Sequence, residues 1–144
     1  MPQYEFCVSL RISHPTLTVS EISRAMALEP DMSHNSGESR VSKKGVILGG
    51  VHKETFWSFD LSPGKRINAE SVLFEDFITQ KNRELSIHSA FLKNIQETGG
   101  CVDYFVGWFS DGSINMNIYL DPDLMKRTSE LGISIVLCAY PGYE

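Results

Sequence analysis

The sequence predicts an α+β domain: a mostly antiparallel sheet with helices packed on one side. Three observations carry this. Apolar residues recur at every second position in four separate stretches, the period of a strand. Between them lie stretches with apolar residues three and four apart, the stripe of an amphipathic helix. The helical stretches carry start and stop signals, including a Thr-x-x-Glu box at Thr18 and Glu21 and an Asp-Pro start at Asp121 and Pro122.

The first strand is read from Tyr4, Phe6, Val8, Leu10 and Ile12, which alternate with Glu5, Cys7, Ser9 and Arg11. One of its faces is therefore apolar and the other largely polar. A Pro15-containing loop follows. The first helix is expected from the Thr18 cap to about Leu28, with Val19, Ile22, Ala25 and Met26 as its stripe and Pro30 forbidding continuation.

Over residues 31–53 the hydrophobic period disappears and Ser, Asn and Gly dominate, with Val46, Ile47 and Leu48 as a short strand inside the loop. Loops this long are uncommon in compact domains unless they are functional or mobile. Arg40, Lys43, Lys44 and Lys53, with His52, make it the most basic stretch of an acidic chain, and so a weak candidate site for an anion or a partner.

Thr55, Trp57, Phe59 and Leu61 then share one face of a strand, with Trp57 read as core. Asn68 is a candidate cap for a helix carrying Val72, Leu73, Phe74, Phe77 and Ile78. Leu85, Ile87, Phe91, Leu92 and Ile95 resume the helical period, and Gly99 and Gly100 end it. This central region reads as one bent helix or two.

In the last third, Val102, Tyr104, Val106 and Trp108 alternate on one side of a strand. Phe105 and Phe109 on the other suggest that both faces are covered. Residues 110–113 supply turn chemistry, and Ile114, Met116, Ile118 and Leu120 form an expected hairpin partner whose other face is a polar ladder of Asn115, Asn117 and Tyr119. Two registers are open. A two-residue turn sets Trp108 opposite Asn115; one more loop residue pairs Trp108 with Met116 and Val106 with Ile118, the preferred arrangement because a slip moves a whole apolar set to the wrong face. A helix with Leu124, Met125, Thr128 and Leu131 ends at Gly132. The final strand, apolar on both sides from Ile133 to Tyr140, is expected at the centre of its sheet. Strand, Pro-containing loop and helix occur twice, at 6–28 and 114–131, so an internal pseudo-repeat and a relation to ferredoxin-like folds are further expectations.

A length of 144 residues with 42% hydrophobic and 22% charged residues fits a single domain over 1–144. Three cysteines, Cys7, Cys101 and Cys138, fall in expected strands and read as reduced and structural. No stretch approaches the roughly 18 apolar residues of a membrane span, so a cytoplasmic location is expected. The net charge of −5 argues against a nucleic-acid backbone as default partner and fits a small molecule or a basic protein better. Binding through Arg40, Lys43 and Lys44 would be the exception. The Gly-rich stretch at 45–50 lacks the Lys-Ser or Lys-Thr of a phosphate-cradling loop, and no Ser lies in a Gly-x-Ser-x-Gly elbow. His14, His34, His52 and His88 are scattered, with no Cys pair, so no metal and no cofactor is expected. Asp103 is the one charge inside its strand, facing a cleft or, the preferred reading, lying at an exposed end of the sheet.

The run into Leu28, Glu29 and Pro30, the later Gly37, Trp57 in its strand, the broken helical pair, and the ending from Ser129, Glu130, Leu131 and Gly132 to Tyr140 resemble the bacterial family named domain of unknown function 4279. The chain departs from that pattern around 46–53 and at Ala139 and Tyr140. The resemblance implies a small bacterial cytoplasmic protein and no particular activity; similar small domains occur beside polymorphic toxins as immunity proteins. The reading is thus a non-catalytic binding module, of an immunity type that neutralises a toxin by contact. The alternative is a small-molecule sensor or enzyme with its pocket under the 31–53 loop. The candidate binding residues are Arg40, Lys43, Lys44, His52, Lys53, Asn115, Asn117 and Tyr119.

Overall fold

The structure is a computed structural model that describes residues 3–62, 64, 66–111 and 117–141. In chain order its elements are β1 (Gln3–His14), α1 (Val19–Met26), β2 (Met32–His34), β3 (Ser39–Val41), β4 (Ile47–Val51), β5 (Thr55–Asp60), β6 (Ile67–Asn68), α2 (Phe74–Leu85), a 3-10 turn (Ser86–His88), α3 (Ser89–Glu97), β7 (Cys101–Asp111), α4 (Pro122–Glu130) and β8 (Ser134–Pro141). The main sheet runs β2-β5-β1-β7-β8, with β6 continuing the β5 side of β1, and β3 with β4 form a separate ribbon. Every pairing is antiparallel except β7 with β8. The expected α+β class with a mostly antiparallel sheet is what the chain adopts.

β1 is the central strand, and its alternation explains why. Phe6, Val8, Leu10 and Ile12 are fully buried, joined by Tyr104 and Val106 of β7 and Trp57 of β5. Onto this face the helices bring Ile22 and Met26 from α1, Phe74 and Ile78 from α2, Leu92 and Ile95 from α3, and Leu124 from α4, in one continuous core. Phe6 is ringed by Phe74, Phe77 and Trp108, at centroid distances of 5.4, 5.6 and 5.7 Å. No described helix lies on the other face.

Local signals set the helix ends. Thr18 and Glu21 cap α1 reciprocally, as their spacing predicts, and Ala27 leaves the helix at φ 56°. Asp121 accepts from Leu124 N at 2.8 Å at the start of α4, with Pro122 in the first turn. Gly132 takes φ +71° to turn the chain into β8. Gly100 is required for a different reason: a Cβ there would collide with the Ser13 carbonyl where α3 hands over to β7.

Buried polar groups are joined in short chains. Tyr104 donates its hydroxyl to Asn82 Oδ1 at 2.7 Å, and Asn82 Nδ2 donates to Thr128 Oγ1 at 2.9 Å. Thr128 passes its own proton to Leu124 O at 2.8 Å. This chain ties β7, α2 and α4 together through the core. His14 Nδ1 accepts from Thr16 N and Leu17 N at 3.0 Å, so the ring proton sits on Nε2, which lies 2.7 Å from Thr98 Oγ1. That histidine shapes a loop.

Several expectations are corrected. The hairpin partner of β7 at 114–120 cannot form, because both edges of β7 are occupied: Trp108 pairs with Phe6 and Ala139, and Val106 with Val8 and Leu137. Ser110 and Asp111, expected in the turn, belong to the strand. Residues 117–120 have no strand, and 112–116 lie outside the described residues. The strand of the second half of the pseudo-repeat falls in this same segment. The final strand β8 is an edge, not a centre, because it returns through α4 to lie parallel beside β7 at the end of the sheet. Asn68 does not cap α2. It sits in β6 and its Oδ1 accepts from Glu70 N at 2.7 Å, while the helix begins only at Phe74, behind Leu73, without a side-chain cap. The helical pair breaks at the 3-10 turn after Leu85, which leaves Ile87 exposed. Over 31–53 the chain forms β2 and the β3–β4 ribbon where one short strand was expected.

Candidate interaction surface

Stepping one residue along β1 crosses to the opposite face of the sheet, and the registers place its side chains in rows. Glu5 lies opposite Phe109, Cys7 opposite Gly107, Ser9 opposite Phe105 and Arg11 opposite Asp103. Across the other edge of β7, Val136 lies beside Phe105, Cys138 beside Gly107 and Tyr140 beside Phe109. Phe105 and Phe109, expected to be covered, are half-exposed, because no layer of described residues packs over them.

Arginines and ring stacks hold these aromatics. Arg11 grips Asp103 with two parallel bonds, Nε to Oδ1 at 2.8 Å and Nη2 to Oδ2 at 3.0 Å, while its guanidinium carbon stands 4.2 Å from the Phe105 ring centre. Asp103 therefore serves a cross-strand ion pair within the sheet rather than an exposed end. Arg66 stands 3.6 Å over Phe109 and 3.8 Å from Glu5. Phe109 stacks on Tyr140 with centroids 5.0 Å apart. Gly107 makes room for this packing, since a Cβ there would press on Cys7 Sγ and the Phe109 ring.

The cysteines are free, and none joins the core: Cys7 and Cys138 are half-buried on the open face and Cys101 is exposed. The structural role expected of them is not found. Desolvation pushes the Cys7 thiol above its ordinary pKa, reinforced by Asp60 and opposed by its hydrogen bond with Gly107 and by Arg66. The Tyr140 phenol is pushed up first by its hydrogen bond with Cys138. The raised pKa leaves the Cys7 thiol less readily ionised as a nucleophile. Cys7 and Cys138 both flank Gly107, two strand spacings apart at about 10 Å, beyond disulfide reach.

β8 continues this surface to the edge of the sheet. From Ser134 to Pro141 it carries no charged residue, its outer edge is unpaired among the described residues, and its open-face residues Val136 and Tyr140 are 37% and 44% exposed. Natural edge strands are normally blunted by a charge, a bulge or a covering element.

The candidate residues named from the sequence lie elsewhere. Arg40 is exposed on β3, Lys43 and Lys44 are exposed in the β3–β4 turn, and Lys53 is exposed ahead of β5. The ribbon also exposes Val41, Ile47 and Val51. His52 sits at its base, stacked on His34 at 3.4 Å with the rings 13° apart. Burial, then the neighbouring His52, lowers the His34 pKa, with Glu38 acting against them. The base is fixed further by Gly37 N to His52 O at 2.8 Å and by Val19 N to Asn35 Oδ1 at 2.7 Å, which ties it to α1. Asn117 and Tyr119 are exposed near the start of α2, where Tyr119 N donates to Glu75 Oε1 at 2.8 Å. Asn115 lies outside the described residues. No hydrogen bond or ion pair among the described residues joins the ribbon group to Asn117 and Tyr119.

Clefts open to solvent lie among the described residues: one of about 550 Å³ between α2, α3 and α4; a second of about 470 Å³ between α1, β5 and α2, lined by Phe59, Leu61, Asp31 and His88; and a third of about 360 Å³ bordering α1. Of residues 31–53 only Asp31 lines any of these clefts, at the margin of the second beside β5. No three His, Cys, Asp or Glu side chains among the described residues converge to hold a metal, and no described helix is long and apolar enough to cross a membrane.

An α+β protein with helices over one face of its sheet and an aromatic, arginine-gripped second face is the class these features define. The chain belongs to the family described as domain of unknown function 4279, whose profile matches residues 2–142 of the 144. No curated protein and no solved structure matches it.

Proposed function

We propose that the protein is a non-catalytic cytoplasmic binding module that acts by covering part of another protein, in the manner of an immunity protein neutralising a toxin. The observation that carries this reading is β8: a charge-free, apolar edge strand that adjoins the Phe109–Tyr140 stack on the open face. An extended segment of a partner adds to such an edge through main-chain hydrogen bonds, while exposed aromatic and arginine side chains supply the contacts that dominate interface energies. The net charge of −5 favours a basic partner and speeds its approach.

The test is titration of the purified protein against the product of the adjacent gene, with Leu137→Lys as the edge variant. Leu137 is nearly half exposed, so the variant keeps the core intact. A complex at micromolar concentration that weakens at least tenfold in the variant supports the reading. No complex, or one indifferent to Leu137→Lys, removes it, and a concentration-dependent dimer of the protein alone would reassign the edge to self-association.

A further inference from the structure

The cleft between α2, α3 and α4 differs in charge from the molecule around it. Arg83, Lys93 and Arg127 line it against Asp123 and Glu130, three positive charges to two negative, a local excess of one in a chain that carries −5. Asp123 is taken by Arg127, one helical turn on, at 3.0 Å. Among the described residues Arg83 and Lys93 have no carboxylate within 4 Å. Two cations therefore face a cleft of about 550 Å³, within the size range of small-molecule sites, with no counter-charge bonded to them.

The floor is fixed. Asn82 is 5% exposed and is held from below by the hydroxyl of Tyr104 and by its own bond to Thr128. Ser86 spends its proton on Arg83 O at 2.7 Å, so toward the cleft it offers lone pairs only. Glu130 adds a second acceptor at the rim. The donor set suits an anionic head group and the acceptor set suits a hydroxyl or an amine, which together describe one molecule carrying both.

We infer that this cleft binds a small organic anion, headed by a phosphate or a carboxylate and bearing a hydroxyl or amino group, with Arg83 and Lys93 holding the head group and Glu130 the donor. The planar guanidinium of Arg83 can grip either head group through two parallel hydrogen bonds. The site is independent of β8 and stands whether or not a protein partner is found.

The test is a thermal-shift and ligand-titration series with glycerol 3-phosphate, glutamate and inorganic phosphate at constant ionic strength in chloride. It uses the full chain and its Arg83→Gln/Lys93→Gln variant. Both residues are exposed, so the unliganded variant should melt within about a degree of the parent. A ligand that binds only the folded form raises the melting temperature saturably. The expected result is saturable stabilisation by glycerol 3-phosphate or glutamate, with binding weakened at least tenfold in the double variant; which probe binds identifies the head group. A response to inorganic phosphate alone, no saturable response to any probe, or equal binding by parent and variant would each overturn the assignment.

Discussion

The two faces of one sheet differ more than any other two regions of this molecule, though they are built from the same strands one residue apart. On the covered face Phe6, Val8, Leu10 and Ile12 meet four helices and lose all contact with water. On the open face Cys7, Phe105 and Phe109 are half-buried, and what packs over the rings is guanidinium and tyrosine rather than aliphatic core. Folding free energy is concentrated on the first face. The second is free to specialise, because a change there opens no cavity.

The largest expected effect sharpens this contrast. Phe6→Ala removes a ring packed against three other aromatics and should destabilise the protein by about 3–5 kcal/mol. Phe105→Ala, on the neighbouring strand but the opposite face, should cost about 1 kcal/mol, since the ring is only partly withdrawn from water. Urea unfolding of the two variants measures both. Equal losses would mean that the second face is covered in solution, and the contrast would fail.

What could be read from the sequence follows the same division. The covered face was legible because it rests on local periods: the alternation of β1, the α1 capping box, the Asp121-Pro122 start and the burial of Trp57 all follow from residues near one another in the chain. The open face was not, because it depends on which strands are neighbours. The turn chemistry after Phe109 looks like a hairpin until β1 and β8 are seen to fill both edges of β7, and the apolar run of β8 reads as central until α4 carries it to the rim. Asp103 stood out in the sequence as a lone charge; Arg11, its partner 92 residues away, gave no signal beyond its place on the polar face of β1. The cleft cations lie on three different helices, and no spacing within one of them marks the group.

A middle-sized effect probes the link between core and helices. Tyr104→Phe leaves the buried Asn82 Oδ1 without its donor and should destabilise by about 1–3 kcal/mol. It should also change the alkaline limb of stability. Burial, then the charge of Glu84, raises the Tyr104 pKa in the folded state. The unfolded chain therefore releases this proton first, near pH 10, so stability is intact below that pH and declines above it. Melting curves between pH 8 and pH 11 should show a shallower alkaline decline for the Phe variant than for the parent. An unchanged slope would show that Tyr104 reaches water.

The two tryptophans of the covered face differ by a single bond. Trp57 Nε1 donates to Ser23 Oγ at 3.0 Å, whereas Trp108 Nε1 is buried and has no partner among the described residues. Replacement by Phe removes similar volume from each, but at Trp57 it also breaks a made hydrogen bond, and at Trp108 it deletes an orphaned donor. Trp57→Phe should therefore be the more destabilising by about 1 kcal/mol in the same urea assay. The reverse order would indicate that Trp108 finds a partner in solution.

The smallest expected effect on stability lies on the open face. Asp103→Asn keeps the shape of the carboxylate but removes the charge that holds Arg11. The pair is forked and only partly exposed, at 29% for Arg11 and 19% for Asp103, which places it near the upper end for surface pairs, about 0.5–1 kcal/mol, reduced by salt. Its effect on contact should be the larger one. Arg11 lies over Phe105 because Asp103 fixes its fork, so the variant frees the guanidinium and exposes the ring. If this face meets a protein partner, the variant should unfold almost as the parent does yet bind at least several-fold more weakly. A variant that loses about 2 kcal/mol or more in urea unfolding would instead make the pair part of the scaffold, and the division between a stabilising face and a contacting face would no longer hold at β1 and β7.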